Sequence, residues 1–343
     1  MGKLLKITFT FITITCLFTA CDFDNVQKST NHNNNNTTQE NNEEKETPAS
    51  THQDIAFPDE TLQKKDEGKS VKALQTALNE IGYDISTSGT YDEETTWAIT
   101  DFQFQQSLQA TGIYNSETKE ATRQFLEDKK EIEAGKGLPW EEDEQTNEAG
   151  NPITNNPYEV LVLVNKHHAL PDDFDPEDLV EPDVRFPFTE DLPKKQLRKV
   201  AANALEEMFA AGDEAGVDLY AQSGFRSYDR QDAIFTANVE KDGEKAANNY
   251  SARPGESEHQ SGLTMDVTSA DINYDLTIAF EDTDEGQWIK EHASEFGFII
   301  RYPEDKEDIT EYQYEPWHLR YVGEKAAKEI TENGLSLEEY LEN

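Results

Sequence analysis

Hydrophobic and polar positions change rhythm several times along the 343 residues. Behind the basic start MGKLLK, the chain is uncharged and largely apolar from Ile7 to Ala20. Residues 22–58 reverse this: the stretch NHNNNNTTQENNEEKETPASTH offers almost nothing to bury, so no core offsets the entropy of ordering it. A disordered tether over 21–58 is expected. From Asp66 the period becomes helical. Val71, Leu74, Leu78 and Ile81 recur at three and four residues. Asp92 can cap a second helix carrying Thr95, Ala98 and Phe102, and Ser116 a third carrying Ala121 and Phe125. With Gly82, Gly89 and Gly112 at the turns, 59–127 reads as a small three-helix domain. Residues 128–157 are charged and rich in Gly, Pro and Asn, a linker in which Trp140 can dock onto either neighbour.

Residues 158–343 open on VLVLVN at 160–165, a strand-like apolar run. A long helix is expected from about Pro193 to Ala211, burying Leu197, Val200, Ala201, Ala204, Leu205 and Met208. Shorter helices are expected around 285–295 and 322–332, with strands at 217–222, 263–268, 297–302 and 313–319. Helices and short strands without regular alternation predict an α+β domain, a small antiparallel sheet flanked by helices, and not a doubly wound sheet.

Charge narrows the function. Lys and Arg total 30 against 71 Asp and Glu, a net charge of -41, so nucleic acid is excluded as a partner. Aromatic residues at 10% and an apolar fraction of 35%, concentrated after residue 60, still argue for folded cores. The apolar run at the start is too short to span a bilayer and matches the core of a secretory signal. It ends Leu17-Phe18-Thr19-Ala20-Cys21, which resembles the lipoprotein signal. That resemblance implies removal of residues 1–20 and a diacylated Cys21 as first mature residue, holding the chain to the outer face of a cell membrane. A plain signal with an incidental cysteine is the alternative. The other cysteine, Cys16, lies inside the apolar run, so the exported chain would carry no disulfide.

Three segments near predicted strands concentrate chemistry: Ser223-Gly224-Phe225-Arg226-Ser227, the run Ser257 to Asp266, and Glu315-Pro316-Trp317-His318. A catalytic zinc wants three protein ligands of N and O type with one position left open, and His259, Asp266 and His318 supply such a set without cysteine. Glu315, three residues before His318, is placed to exchange protons with an attacking water and a leaving amine. Arg226 after a glycine turn can clamp a carboxylate through two parallel hydrogen bonds, and a free C-terminal carboxylate distinguishes a carboxypeptidase substrate. Each group also has a plain structural reading: His259 as a surface histidine, Asp266 as a turn cap, Trp317-His318 as an amphipathic strand. His167 and His168, adjacent on an extended chain, would face opposite ways and not share a metal. His292 reads as a half-buried packing residue, and His32 and His52 lie in the tether without partners at fixed spacing.

The segments SGFRS, SEHQSGLTMDV and EPWHLR, with VLVNKHHALPDDFDPEDLV before them, resemble the D-alanyl-D-alanine carboxypeptidases of the VanY type over about residues 158–335. The resemblance implies His259, Asp266 and His318 as ligands of one Zn2+ per chain and Glu315 as catalytic base. It also implies Arg226 as the group that orients substrate and stabilises the carbonyl oxygen, with Ser257, Tyr228, Gln231 and Trp317 shaping the pocket. Thr264 and Met265 stand where that family carries small residues, so added bulk beside Asp266 is expected. The run from Gly68 to Thr118, including Leu74-Gln75, Gly82-Tyr83, Tyr91, Phe102-Gln103 and Gly112, resembles the type 1 peptidoglycan-binding domain. Together these imply a monomeric, membrane-anchored zinc carboxypeptidase that trims D-Ala from peptidoglycan stem peptides and binds glycan. An endopeptidase or D,D-dipeptidase on the same scaffold, and a non-catalytic wall-binding lipoprotein, are the alternatives.

Overall fold

In a computed structural model, the structure describes residues 57–342 apart from 142 and 144. The signal, Cys21 and most of the tether lie outside the described residues.

The helical period after Asp66 yields α1 (Lys69–Glu80), α2 (Glu93–Gln105) and α3 (Ser116–Glu127). Their apolar faces close on one core through Leu74, Leu78, Ile81, Ile99, Phe102 and Phe125. Asp92 caps α2 by accepting from the Thr95 N–H at 2.9 Å. The cap of α3 is Asn115, which accepts from the Thr118 N–H at 2.9 Å, while Ser116 is the first helical residue. Either side chain could serve. The one a residue earlier has the extended backbone that a cap requires.

The second unit is built on strands β1 (Leu179–Val180), β2 (Leu197–Arg198), β3 (Tyr220–Ser223), β4 (Thr264–Thr268), β5 (Phe298–Ile300) and β6 (His318–Tyr321). Its helices are α4 (Lys199–Ala215), α5 (Tyr228–Asp242), α6 (Glu244–Tyr250), α7 (Asp284–His292), α8 (Glu307–Thr310), α9 (Glu324–Asn333) and α10 (Leu337–Glu342). β1 and β2 pair antiparallel; the main sheet runs β3-β4-β6-β5, antiparallel throughout. The expected α+β architecture, a small antiparallel sheet flanked by helices and preceded by a small helical unit, is what the chain adopts. Successive strand residues face opposite ways. Met265, Val267 and Leu319 join the Leu205, Met208 and Phe209 side chains of α4 in one core, which turns Asp266 and His318 to the other face.

Three expected elements differ. The helix predicted from Pro193 begins at Lys199, because the chain before it is used in other bonds. The Lys194 and Gln196 carbonyls accept from the Gly224 and Phe225 N–H groups, and the Arg198 N–H donates to the Gly262 carbonyl. The run at 160–165 is buried but joins no sheet. Arg320 explains how it stays satisfied: its Nη2 donates to the Val160 and Val162 carbonyls at 3.0 and 2.8 Å, in place of a neighbouring strand. The strand expected at 313–319 also shifts, with 313–317 forming a loop and β6 starting at His318.

Residues 128–157, expected as a linker, follow a bonded path. Buried Asp101 of α2 accepts from the Gly135, Gly137 and Leu138 N–H groups at 3.1, 2.7 and 2.8 Å. Asn147 and Asn151 both donate to Glu256. The described residues belong to one compact unit. Arg198, fully buried, donates to the carbonyls of Ala110 in the helical unit and Tyr158, and Val160 N–H donates to the Thr111 carbonyl at 3.1 Å. Among the described residues no helix is long and apolar enough to cross a membrane.

Candidate metal centre and active site

The site is assembled at the middle of the sheet by register. β4 and β6 pair so that Asp266 lies opposite His318, and an irregularity in β3 brings Ser223 beside Asp266. His259 comes from a tight turn, Glu258–Ser261, closed by Gly262 at φ 68. A side chain at Gly262 would be strained in that left-handed conformation and would meet the Arg198 side chain at 2.8 Å. Gly224 makes a second close approach, where a Cβ would collide with the Gln196 carbonyl. Its own carbonyl meets His259 Nδ1 at 2.8 Å. A carbonyl only accepts, so Nδ1 carries the hydrogen and Nε2 keeps its lone pair. Burial holds His259 far below the usual histidine range, at about 3, so the ring is neutral.

The ligand atoms of His259, Asp266 and His318 all lie within 4.8 Å of one another, and all three residues are buried. His259 Nε2 is 3.6 Å from Asp266 Oδ2, and His318 Nδ1 is 3.1 Å from Asp266 Oδ1. Asp266 Oδ1 is buried without a hydrogen-bond partner. Burial opposes a charge on His318, yet the Asp266 and Glu258 carboxylates win and hold its pKa up to about 9. The buried Asp266 Oδ1, without a hydrogen-bond partner and close to two imidazoles, is in an arrangement that a cation would satisfy. Two neutral-capable imidazoles, one carboxylate and no thiolate form an N/O set that fits zinc with a position open.

Glu315 stands beside the cluster, its Oε2 3.6 Å from His318 Nδ1. Burial pushes its pKa up to about 7, with His318 and Arg226 opposing and Asp266 assisting. Arg226 is held by its neighbours: Nη1 donates to Gln231 Oε1 at 2.9 Å, and Gln231 Nε2 donates to the Ala252 carbonyl at 2.6 Å. Arg226, Gln231, Ser257, His259, Asp266, Glu315, Trp317 and His318 together line one cavity of about 260 Å³. Ile234 and Asn238 of α5, Tyr250 at the end of α6, and Ser251 and Ala252 after it also line this cavity and were not legible in the sequence. Tyr228 is not among these residues; its ring packs near Gly255 and lines an adjoining cleft with Asp172. Neither Thr264 nor Met265 lines the cavity, since Met265 packs into the core beneath.

His32 and His52 fall outside the described residues, and the other histidines lie away from the cluster. His167 pairs with Glu311 at 3.0 Å, His168 Nδ1 lies 3.2 Å from Asn165 Oδ1, and His292 pairs with Glu295 at 2.8 Å beside the Trp288 ring.

Sequence reasoning passed over Glu258, although it precedes His259. Its Oε2 lies 3.7 Å from His318 Nε2, and both atoms are buried with no hydrogen-bond partner. Its Oε1 accepts from Arg301 Nε and Arg320 Nη1, each at 2.7 Å. Arg301 continues to Glu338 of α10 through two bonds of 2.9 and 2.6 Å. The signal for Arg320 was its spacing, two residues beyond His318 and therefore on the same strand face.

Residues 194–324 match the family of VanY D-alanyl-D-alanine carboxypeptidases. YodJ, a putative carboxypeptidase of Bacillus subtilis (strain 168), is 54% identical over 187 residues, which are 54% of this chain and 68% of that protein. The chain belongs to the VanY carboxypeptidase family. VanXYC of Enterococcus gallinarum, a bifunctional D-Ala-D-Ala dipeptidase and D-Ala-D-Ala carboxypeptidase, is 33% identical over 52% of this chain and 92% of its own. The solved structure of the LdcB LD-carboxypeptidase superposes with a TM-score of 0.57 at 52% identity, covering 58% of this chain and 93% of that one. In front of the VanY region, residues 67–121 match a putative peptidoglycan binding domain.

Proposed function

We propose that this chain is a zinc-dependent D-Ala-D-Ala carboxypeptidase that removes the terminal D-alanine from peptidoglycan stem peptides. The observation that carries the reading is the buried His259, Asp266 and His318 cluster, with Glu315 and Arg226 on the wall of the same cavity. His259, Asp266 and His318 would hold a zinc ion, which would supply Lewis acidity toward the scissile carbonyl and water. Glu315 takes a proton from the attacking water on its carboxylate and returns it to the leaving amine. Arg226, aimed by Gln231, pairs with the free C-terminal carboxylate and steadies the developing charge on the carbonyl oxygen. Ser257 and Trp317 shape the cavity wall. Residues 158–343 form the peptidase domain and 59–127 the wall-binding domain, and the chain works as a monomer, anchored outside the cell through a lipid on Cys21.

A second reading is favoured by the likeness to the LD-carboxypeptidase. The same zinc, base and arginine would serve it, and the difference lies in the stereochemistry of the residue ahead of the scissile bond. One experiment addresses both: product analysis on synthetic stem peptides ending in D-Ala-D-Ala, on peptides with an L-centre before the terminal D-Ala, and on C-terminally amidated forms. Single D-Ala release from free-carboxylate peptides is expected, with amidation slowing cleavage about 10- to 100-fold, the worth of a charge-assisted bond. About one zinc per chain is expected, and chelation should remove turnover. Preference for the L-centre peptide transfers the assignment to the second reading. Equal cleavage of amidated and cross-linked peptides would make the chain an endopeptidase.

A further inference from the structure

A second cavity, of about 600 Å³, lies where the helical unit meets the start of the peptidase, away from the metal centre. Trp140 stands on its wall with 37% of its surface exposed. That exposure is built. The Trp97 ring meets Trp140 edge-on at 5.4 Å, Tyr83 backs Trp97 at 5.8 Å, and Trp97 Nε1 donates to the Leu138 carbonyl at 2.8 Å. Asp101 holds the backbone just before Trp140 through three N–H groups. A loose loop would fold such an indole away from water; this one is fixed with the ring outward.

The polar side of the cavity is equally specific. Asn155 Nδ2 donates to the Glu141 carbonyl, which ties the residue after Trp140 to the cavity lining. Asn156, also lining the cavity and 6% exposed, donates to Thr100 Oγ1 at 2.9 Å, while its Oδ1 is buried with no hydrogen-bond partner. Both cavity lysines are already engaged: Lys64 with Glu159 at 2.9 Å, and Lys65 with the Tyr340 carbonyl and ring. With its lysines paired and Glu93, Glu141, Glu159 and Glu342 on the same lining, the cavity disfavours an anionic ligand.

We propose that this cavity binds the neutral glycan strand of peptidoglycan. The apolar face of a sugar ring stacks on Trp140, beside which the polar residues Glu141 and Asn155 line the same cavity. The proposal rests on the reading of peptidoglycan as substrate, since the glycan is the polymer that carries the stem peptides. Because Arg198 and the Val160 N–H fasten the helical unit to the peptidase, a strand held here sits at a fixed offset from the metal centre. The helical unit then acts as a ruler for stem peptides.

The test uses the full mature chain with zinc, in wild-type, Trp140→Ala and Trp140→Phe forms. Binding is measured by calorimetry against the tetramer of N-acetylglucosamine and against glycan strands whose lactyl carboxylates are capped as amides, with poly(glycerol phosphate) as a polyanion. Wild type should bind both saccharides and not the polyanion, Trp140→Ala should lose about tenfold in affinity, and Trp140→Phe should keep most of it. The ratio of turnover on intact wall to turnover on soluble stem peptide should fall with the affinity. An unchanged melting temperature checks that the exposed indole was not holding the fold. Saccharide affinity equal in wild type and Trp140→Ala, no saccharide binding by wild type, or preference for the polyanion would each overturn the proposal. Wild-type failure on every soluble peptide would instead sink the carboxypeptidase reading, and the binding arm would stand apart from it.

Discussion

Glu315→Gln is expected to lower kcat by about 10²- to 10⁴-fold or more while leaving zinc content at about one per chain, because the substitution keeps shape and removes only the proton acceptor. The three ligand residues are separate from Glu315, whose carboxylate stands 3.6 Å from His318 Nδ1. Burial places its pKa near 7 in the metal-free site. A base must be ionised to act. Activity therefore rises with pH as Glu315 loses its proton, and a bound dication, favouring the ionised form, moves that limb to lower pH. Glu315→Asp, which withdraws the carboxylate by one methylene, should retain a pH-dependent acid limb at reduced rate, whereas Glu315→Gln should show none. Single-turnover rates across pH with parallel metal analysis decide the matter. Retention of more than about a tenth of wild-type kcat by Glu315→Gln would remove it from the base role.

The ligand residues were legible because their types and the surrounding motifs sufficed; their meeting depended on register, which the sequence did not print. Asp266 faces His318 only because β4 and β6 pair as they do. The apolar alternation Leu263, Met265, Val267 already placed Asp266 on the opposite face, and this also explains why Met265 does not crowd the cavity. Long-range polar pairing was the illegible part. The apolar run 160–165 looks like a strand by composition, yet its carbonyls are taken by an arginine 160 residues away. Pro193 to Arg198 looks like the first turns of a helix, yet its backbone anchors the Gly224 turn that aims His259. The Gly, Pro and Asn content of 128–157 suggested a free linker, and one buried carboxylate, Asp101, is enough to hold its first part.

The buried network beneath the metal centre makes the other large prediction. Glu258, Arg301, Arg320 and Glu338 form two carboxylates and two guanidiniums with all four groups inside, so removing one charge leaves an unbalanced one in the interior. Glu258→Gln should destabilise the fold by about 3–5 kcal/mol, the usual effect of breaking a buried pair from one side. Glu258 also faces His318 Nε2, the ring nitrogen turned away from Asp266. Loss of its charge should therefore free the ring to turn and lower zinc affinity about 10- to 100-fold, the effect of removing a carboxylate that orients a ligating histidine. Glu338→Gln touches Arg301 but not His318, so it should cost stability with much less effect on zinc. Urea unfolding of the metal-free chains, paired with zinc competition against a chelator, separates the two roles. Equal zinc affinity in wild type and Glu258→Gln would reduce Glu258 to a structural charge. Acid gives an independent check through Glu338. Burial works against its charge, but Arg301 outweighs this and holds its pKa below the ordinary 4.5. A group depressed on folding adds stability above its unfolded pKa and loses it as pH falls through the folded value. Unfolding free energy of the metal-free chain should accordingly decline as pH drops below about 4.5, and the decline should be shallower in Glu338→Gln, which has no carboxylate there to protonate.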